Sequence, residues 1–309
     1  MKITIRDALI TAISYADIFD YPLTEEELQT WLPFIHKFSR YYLASLQGST
    51  LRSWRTSDGI AYYSLRFIKR LVDIRNKRRF LSQDKWVRAR RVAGLLSWIP
   101  TIKLIGVTGG LTRSYARAQD DIDLFIITAP RTIWVTRAIS TIFLDMFRLR
   151  RRPQDRSVQN LMCLNMFMSE DGLALPNGER DLFAAHEVLL MTPLWERDEI
   201  YTKFLSANRW ARIFLPNAWE KKVKSQKSKV KRKTKDMLRL VIVIWLLRFM
   251  DPFTRTLQLR YMSKRRSTEV VTDHVIRFHP RDARVWIKKK LGSRVARFNI
   301  PLDKIFYAR

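Results

Sequence analysis

"GGLTRSYARAQDDIDLFIIT", Gly109 to Thr128, sets two adjacent glycines ahead of two carboxylates, Asp121 and Asp123, that alternate with apolar residues and run into a β-type segment. Side chains two apart on an extended strand share a face, so the aspartates stand together while Ile122 and Leu124 turn towards a core. Two oxygen donors side by side suit Mg²⁺, a hard cation that takes few protein ligands and fills its shell with water and phosphate oxygens. Gly109 and Gly110 follow a second β-type run, "TIKLIGVT". Glycines there let the backbone approach a phosphate, and the N–H groups of a turn or helix start hold its negative charge. Arg113 and Arg117, with the hydroxyls of Thr112 and Ser114, supplement that cradle. Asp120 is a further candidate ligand, one residue out of register with the pair. An Asp-x-Asp alone is common on exposed strands; the paired glycines, the spacer and the following strand and helix pattern set this one apart from an isolated pair.

Outward from the motif, Pro130 suits the first turn of a helix running to about Arg148, and "NLMCLNMFM", Asn160 to Met168, supplies a third strand. Upstream, apolar residues at Ile5, Leu9, Ile13, Ala16 and Phe19 keep the helical period, and Thr24 with Glu27 forms a capping box for a second helix. A third apolar and basic segment covers Phe34 to Leu46. "TLRSWRTSDGIAYYSL" then reads as a hairpin around Asp58 and Gly59. Three helices and a hairpin are the order of a winged helix, whose third helix, here with Lys37, Arg40 and Tyr41, either meets nucleic acid or packs on a neighbour. Arg66 to Trp98 is an arginine-rich helical stretch read chiefly as a solvated face.

The spacing of the central motif resembles the nucleotidyltransferase fold of the DNA polymerase β superfamily: Gly-Ser, a spacer, then Asp-x-Asp on a strand followed by an amphipathic helix. The resemblance covers about Ile102 to Met168, under a quarter of the chain. It implies transfer of a nucleotidyl group from a nucleoside triphosphate to a hydroxyl, assisted by Mg²⁺. Gly109 and Gly110 match the phosphate turn, and Asp121 and Asp123 match the metal-binding pair. Gly110 stands where the family has serine. The family's third carboxylate, on a later strand, falls at Asn165, an amide that ligates through oxygen but accepts no proton. Glu170 and Asp171 follow at that strand's end as substitutes.

Composition selects the partner class. With 58 Lys and Arg against 29 Asp and Glu, the chain carries a formal charge of +29, which attracts a polyanion: nucleic acid, an anionic surface or an acidic protein. Glu220 to Lys235 holds nine Lys or Arg and one acid, and the remaining excess is spread over the chain. The lone Cys163 lies in an apolar run, which fits a buried thiol and a reducing, cytoplasmic setting. Arg6, Asp7 and Asp17 break the apolar start, so no signal peptide is expected. "MLRLVIVIWLLRFM", Met237 to Met250, is too short and too basic to span a bilayer and reads as a buried or amphipathic helix whose flank permits peripheral contact with an anionic surface. His36, His186, His274 and His279 show no zinc spacing, and His279 with Arg281 and Asp282 reads as a helix entry. Trp86, Trp98, Trp134, Trp195, Trp210, Trp219 and Trp245 are expected mostly in cores or domain interfaces.

The expectation is an α+β multidomain chain: a winged-helix-like domain over 1–66, a basic helical connector over 67–100, a small mixed-sheet nucleotidyltransferase core over 101–178, helices packing on it over 179–219, a basic linker over 220–236 and a basic helical region over 237–309. The expected activity is Mg²⁺-dependent nucleotidyl transfer to an RNA hydroxyl, with tRNA as one such acceptor. Catalysis and metal binding fall to Asp121 and Asp123 with Asn165 as a further ligand, and triphosphate binding to Gly109, Gly110, Arg113, Ser114 and Arg117. The alternatives are a catalytically degenerate member that binds nucleic acid, and a transferase for a small-molecule or protein hydroxyl.

Overall fold

The computed structural model describes residues 3–48, 50–152, 154–227, 237–263, 270–277 and 283–307. The first elements are α1 (Ile5–Asp17), β1 (Leu23–Thr24), α2 (Glu25–Thr30), α3 (Arg40–Leu46), β2 (Arg52–Arg55) and β3 (Ala61–Ser64). The capping box forms: Glu27 N–H donates to Thr24 Oγ1 at 3.2 Å, and Thr24 N–H donates to Glu27 Oε2 at 2.9 Å. The hairpin forms as well, with Gly59 at φ +83° in its turn. Strand β1, too short to read from sequence, pairs with β3 and completes a three-stranded sheet of order β1-β3-β2. Helix α3 is shorter than the segment expected, beginning only at Arg40.

Then follow α4 (Ile68–Leu96), β4 (Ile102–Val107), β5 (Ile122–Thr128), α5 (Ile133–Met146), β6 (Met162–Ser169), α6 (Leu182–Leu190), β7 (Thr192–Glu196), α7 (Ile200–Ala207), α8 (Ala211–Phe214), α9 (Pro216–Lys227), α10 (Met237–Ser263), β8 (Val270–Val271), β9 (Val275–Arg277), α11 (Ala283–Val295) and α12 (Leu302–Tyr307). A mixed sheet of order β7-β4-β5-β6-β9-β8 lies at the centre. Only β5 and β6 are parallel, joined through α5, and the other neighbours are antiparallel. Strand alternation splits the sheet: Ile122, Leu124 and Ile126 face one core with the end of α4, whereas Phe125 and Ile127 face another with α1, α6 and α7.

Several expected boundaries change. The sheet recruits β7 from the stretch expected as packing helices, and β8 and β9 from the one expected as helical. These strands are only two to five residues long, and such short runs become strands through their partners rather than through a pattern of their own. Glu220 to Lys227 belongs to α9 instead of a linker, because lysine is a good helix former when its charge is solvated; 228–236 lies outside the described residues, as does His279. Pro130 precedes α5 rather than entering its first turn: the helix starts at Ile133, and its Trp134 and Val135 N–H groups donate to the buried Asp251 carboxylate of α10 at 2.9 and 2.8 Å. Helix α10 continues through Pro252. Trp134 and Trp219 are buried, whereas Trp98 is 84% exposed and Trp245 55% exposed, so the core expectation fails at both. No helix among the described residues is long and apolar enough to cross a membrane.

Candidate functional site

Strands β4 and β5 are neighbours, and the chain between them returns through a 3-10 turn, Gly109–Arg113. Gly109 holds φ at +70°, and a Cβ built there would stand 2.4 Å from Asp123 Oδ2. Both facts demand glycine: the left-handed backbone disfavours a side chain, and a carboxylate already fills the space that a side chain would need. Thr108 N–H donates to the Asp123 carbonyl at 3.0 Å and locks the turn to β5. At Gly110 a Cβ would meet only Tyr115 Cδ1, at 3.5 Å, so the serine of the resembled family would fit.

Asp121 lies at the mouth of β5 and Asp123 on its second residue, and the parallel register sets Cys163 of β6 opposite Asp123. Ligand atoms of Asp121, Asp123 and Cys163 lie within 4.8 Å of one another, the one such group among the described residues. Burial and the Asp121 charge push the Asp123 carboxyl up to about 7, and the Cys163 thiol donates to it. Burial, with the charges of Asp123 and Asp121 adding, pushes the thiol itself far above its ordinary range. Arg151 Nη1 pairs with Asp121 Oδ2 at 2.6 Å. Two residues beyond Cys163, where β6 shifts register between Leu164 and Met166, the buried Asn165 lines a cavity of about 90 Å³ together with Thr108, Glu187 and Arg277. Glu170 and Asp171 lie just past the far end of β6, roughly 23 Å or more from the Cys163 level, and pair with Lys203 and His274.

The remaining expected residues divide. Arg113 turns its guanidinium to Glu187, 3.4 Å away, with its Cζ 4.5 Å from the Phe19 ring centroid. Ser114 caps the turn in left-handed backbone, and Thr112 bonds back to the Gly109 carbonyl at 2.7 Å. Arg117 is exposed beside the turn, where its N–H donates to Asp120 Oδ2 at 2.8 Å. Asp120 is thereby a loop-former, not a ligand of the group.

Four positions around the acidic pair escaped the sequence reading. Cys163 read as a core thiol, and only the β5–β6 register reveals it. Glu187 of α6 is, besides Asp121, the carboxylate whose charge acts on Asp123, and burial raises its own proton affinity. Arg151 follows α5 in a loop without a pattern. Lys85, 1% exposed within α4, donates to the carbonyls of Ala118 and Asp120 at 3.2 and 2.5 Å and to Asn160 Oδ1 at 2.9 Å. It thus ties the loop before the aspartates to α4; the one signal in sequence was a lysine on the apolar side of a basic helix.

His186 is packed between Tyr15 and Trp31, with ring centroids 3.9 and 5.4 Å away, and burial pushes it down to about 3. It is a neutral core residue. The chain matches no protein-family model, no curated protein and no solved structure.

Proposed function

We propose that this chain is a metal-dependent nucleotidyltransferase that transfers a nucleotidyl group from a nucleoside triphosphate to an RNA hydroxyl. One observation carries the reading: the Gly109 backbone closes on the Asp123 carboxylate, so the glycine turn and the acidic pair form one cradle rather than two unrelated features. Asp121 and Asp123 offer the hard oxygens that Mg²⁺ takes, and Gly109 adds no side chain beside the Asp123 carboxylate. The Cys163 thiol does not belong to that donor set, being soft and holding its proton. When bound, the metal supplies positive charge to the phosphate oxygens. The chain's own residues do the rest. Gly109 and Gly110 present backbone N–H groups to the triphosphate, Arg151 and Arg117 add charge at its edge, and Ser114 holds the turn. Asn165 is an amide and Cys163 a thiol, so the proton of the attacking hydroxyl passes to Glu187, whose raised proton affinity suits a general base.

RNA as acceptor, tRNA included, rests on the charge of +29 and on the N-terminal elements. Their order, α1-β1-α2-α3-β2-β3, and the sheet order β1-β3-β2 support the winged-helix reading. Lys37, Tyr41, Arg52, Trp54 and Arg55 are exposed there, an alternation of cations and rings that suits a nucleic-acid strand.

A second reading has its own support. Arg151 already neutralises Asp121, and among the described residues the third metal-ligating group beside the pair is a thiol. Both fit a protein that binds RNA without turnover. Labelled nucleoside triphosphates incubated with Mg²⁺ and total RNA separate the two. Transfer is expected, lost at least about 100-fold in Asp121→Ala/Asp123→Ala and reduced in Gly109→Ala. RNA binding without transfer, unchanged by either variant and by chelation of Mg²⁺, would establish the second reading.

A further inference from the structure

Helix α10 carries two apolar faces. The inner one includes Ile244 and Met262, 8% and 6% exposed, and between them Asp251 caps α5. On the opposite side Ile242, Leu246, Phe249, Phe253 and Leu257 recur every three or four residues, and each is between 51% and 67% exposed. At 100° per residue these five cluster about half a turn from the buried set, so they form one continuous stripe facing water. Single exposed apolar residues are ordinary, but a contiguous stripe of this size marks a surface that something covers.

Charge identifies the occupant. The run Glu220 to Lys235, with nine Lys or Arg, precedes this helix, and the whole chain is +29. A second copy would bring one strongly cationic chain against another. RNA would satisfy the charge and leave the isoleucine and leucines of the stripe wet. An anionic lipid surface satisfies both, because headgroups take the cations and the acyl boundary takes the stripe. Beside the stripe, a groove of about 810 Å³ between α10 and the start of α5 offers Arg131, Arg248 and Trp245 at headgroup scale, with Arg255 held by Asp273. No window of α10 among the described residues qualifies as a membrane span, so the helix lies in the interface plane.

We propose that α10 is an interfacial helix that seats this protein on an anionic phospholipid surface. The test uses the full chain, sedimented with phosphatidylcholine vesicles containing roughly 30% phosphatidylglycerol and with phosphatidylcholine alone. Binding is expected only to the anionic vesicles. In Phe249→Glu/Phe253→Glu, and to a lesser degree in the milder Leu246→Ser/Leu257→Ser, partitioning falls by about tenfold or more while RNA retention on filters stays unchanged. The proposal is overturned by no sedimentation of the wild-type chain with anionic vesicles, by undiminished sedimentation of both variants, or by a wild-type dimer in analytical ultracentrifugation that both variants convert to monomer. Loss of RNA retention in the variants would likewise transfer the face to nucleic acid.

Discussion

Asp123 and His186 give the fold opposite dependences on pH. Burial and Asp121 raise the Asp123 carboxyl from its ordinary 3.8 to about 7. Between those values the unfolded chain has lost the proton and the folded chain keeps it, so this group's contribution to stability falls as pH rises through the window and is level above it. Burial, with the Arg113 charge adding, lowers His186 from 6.5 to about 3. There the unfolded chain takes up the proton first, so stability is lost as pH falls from 6.5 towards 3. The windows overlap between about 4 and 6.5, where the two slopes oppose. Asp123→Asn removes one of them and leaves the other exposed. The variant's melting temperature is therefore expected to drop more steeply than the wild type's as pH is lowered from about 6.5 to about 4.5 in a calorimetric series; parallel curves would show that Asp123 is not the buried acid described. At this same scale Gly109 was legible in sequence as a turn glycine, but its contact with Asp123 was not, because that contact needs β4 and β5 to be neighbours.

At the scale of elements, α4 shows that a charged run is not solvated throughout. Its arginines mostly face solvent, as the composition suggested. Lys85 instead turns inward and satisfies three acceptors in the loops that lead into β5 and β6. Burial lowers its proton affinity, while Asp120 and Asp121 oppose that effect, so the ammonium is kept by its partners rather than by water. Lys85→Met leaves those acceptors unpaired in a buried position and is expected to cost roughly 3 kcal/mol. Urea unfolding checks this through the midpoint; an unmoved midpoint would mean that the loops hold themselves. The parallel pair β5–β6 teaches the same lesson. Its existence followed from a strand, helix, strand order, but its register did not, since a crossover through a helix leaves the strand offset free. That offset decides whether Asn165 or Cys163 stands beside Asp123.

Across the whole molecule, the N-terminal elements share a core with the rest. Ala8, Leu9, Leu28, Leu32 and Leu51 share one continuous core with Val188, Tyr201, Phe214, Leu291 and Phe306. Backbone and side-chain bonds cross the same boundary: Phe34 N–H donates to the Phe214 carbonyl at 2.8 Å, and Asn217 Nδ2 donates to the Gln29 carbonyl at 2.7 Å. Asp17, buried under the hairpin end, is reached by Arg66 and from the C-terminal side by Arg294. A fragment of residues 67–309 would expose this core. It is expected to lack a cooperative thermal transition, whereas a sharp transition near that of the full chain would restore the independent domain that sequence suggested.

What sequence determined by itself is local and periodic. The capping box at Thr24, the hairpin around Gly59, the strands flanking the glycine turn and the shared face of Asp121 and Asp123 all depend on residues a few positions apart, whose geometry the backbone dictates. The charge is likewise a sum that needs no coordinates. Tertiary structure decided everything that depends on which distant segments meet: Cys163 beside Asp123, Glu187 paired with Arg113, Asp251 capping α5, the short strands β7, β8 and β9, and the outward face of α10. Pattern says that a helix has an apolar side. Only packing says which of two apolar sides is buried, because burial is a property of the neighbour as much as of the residue.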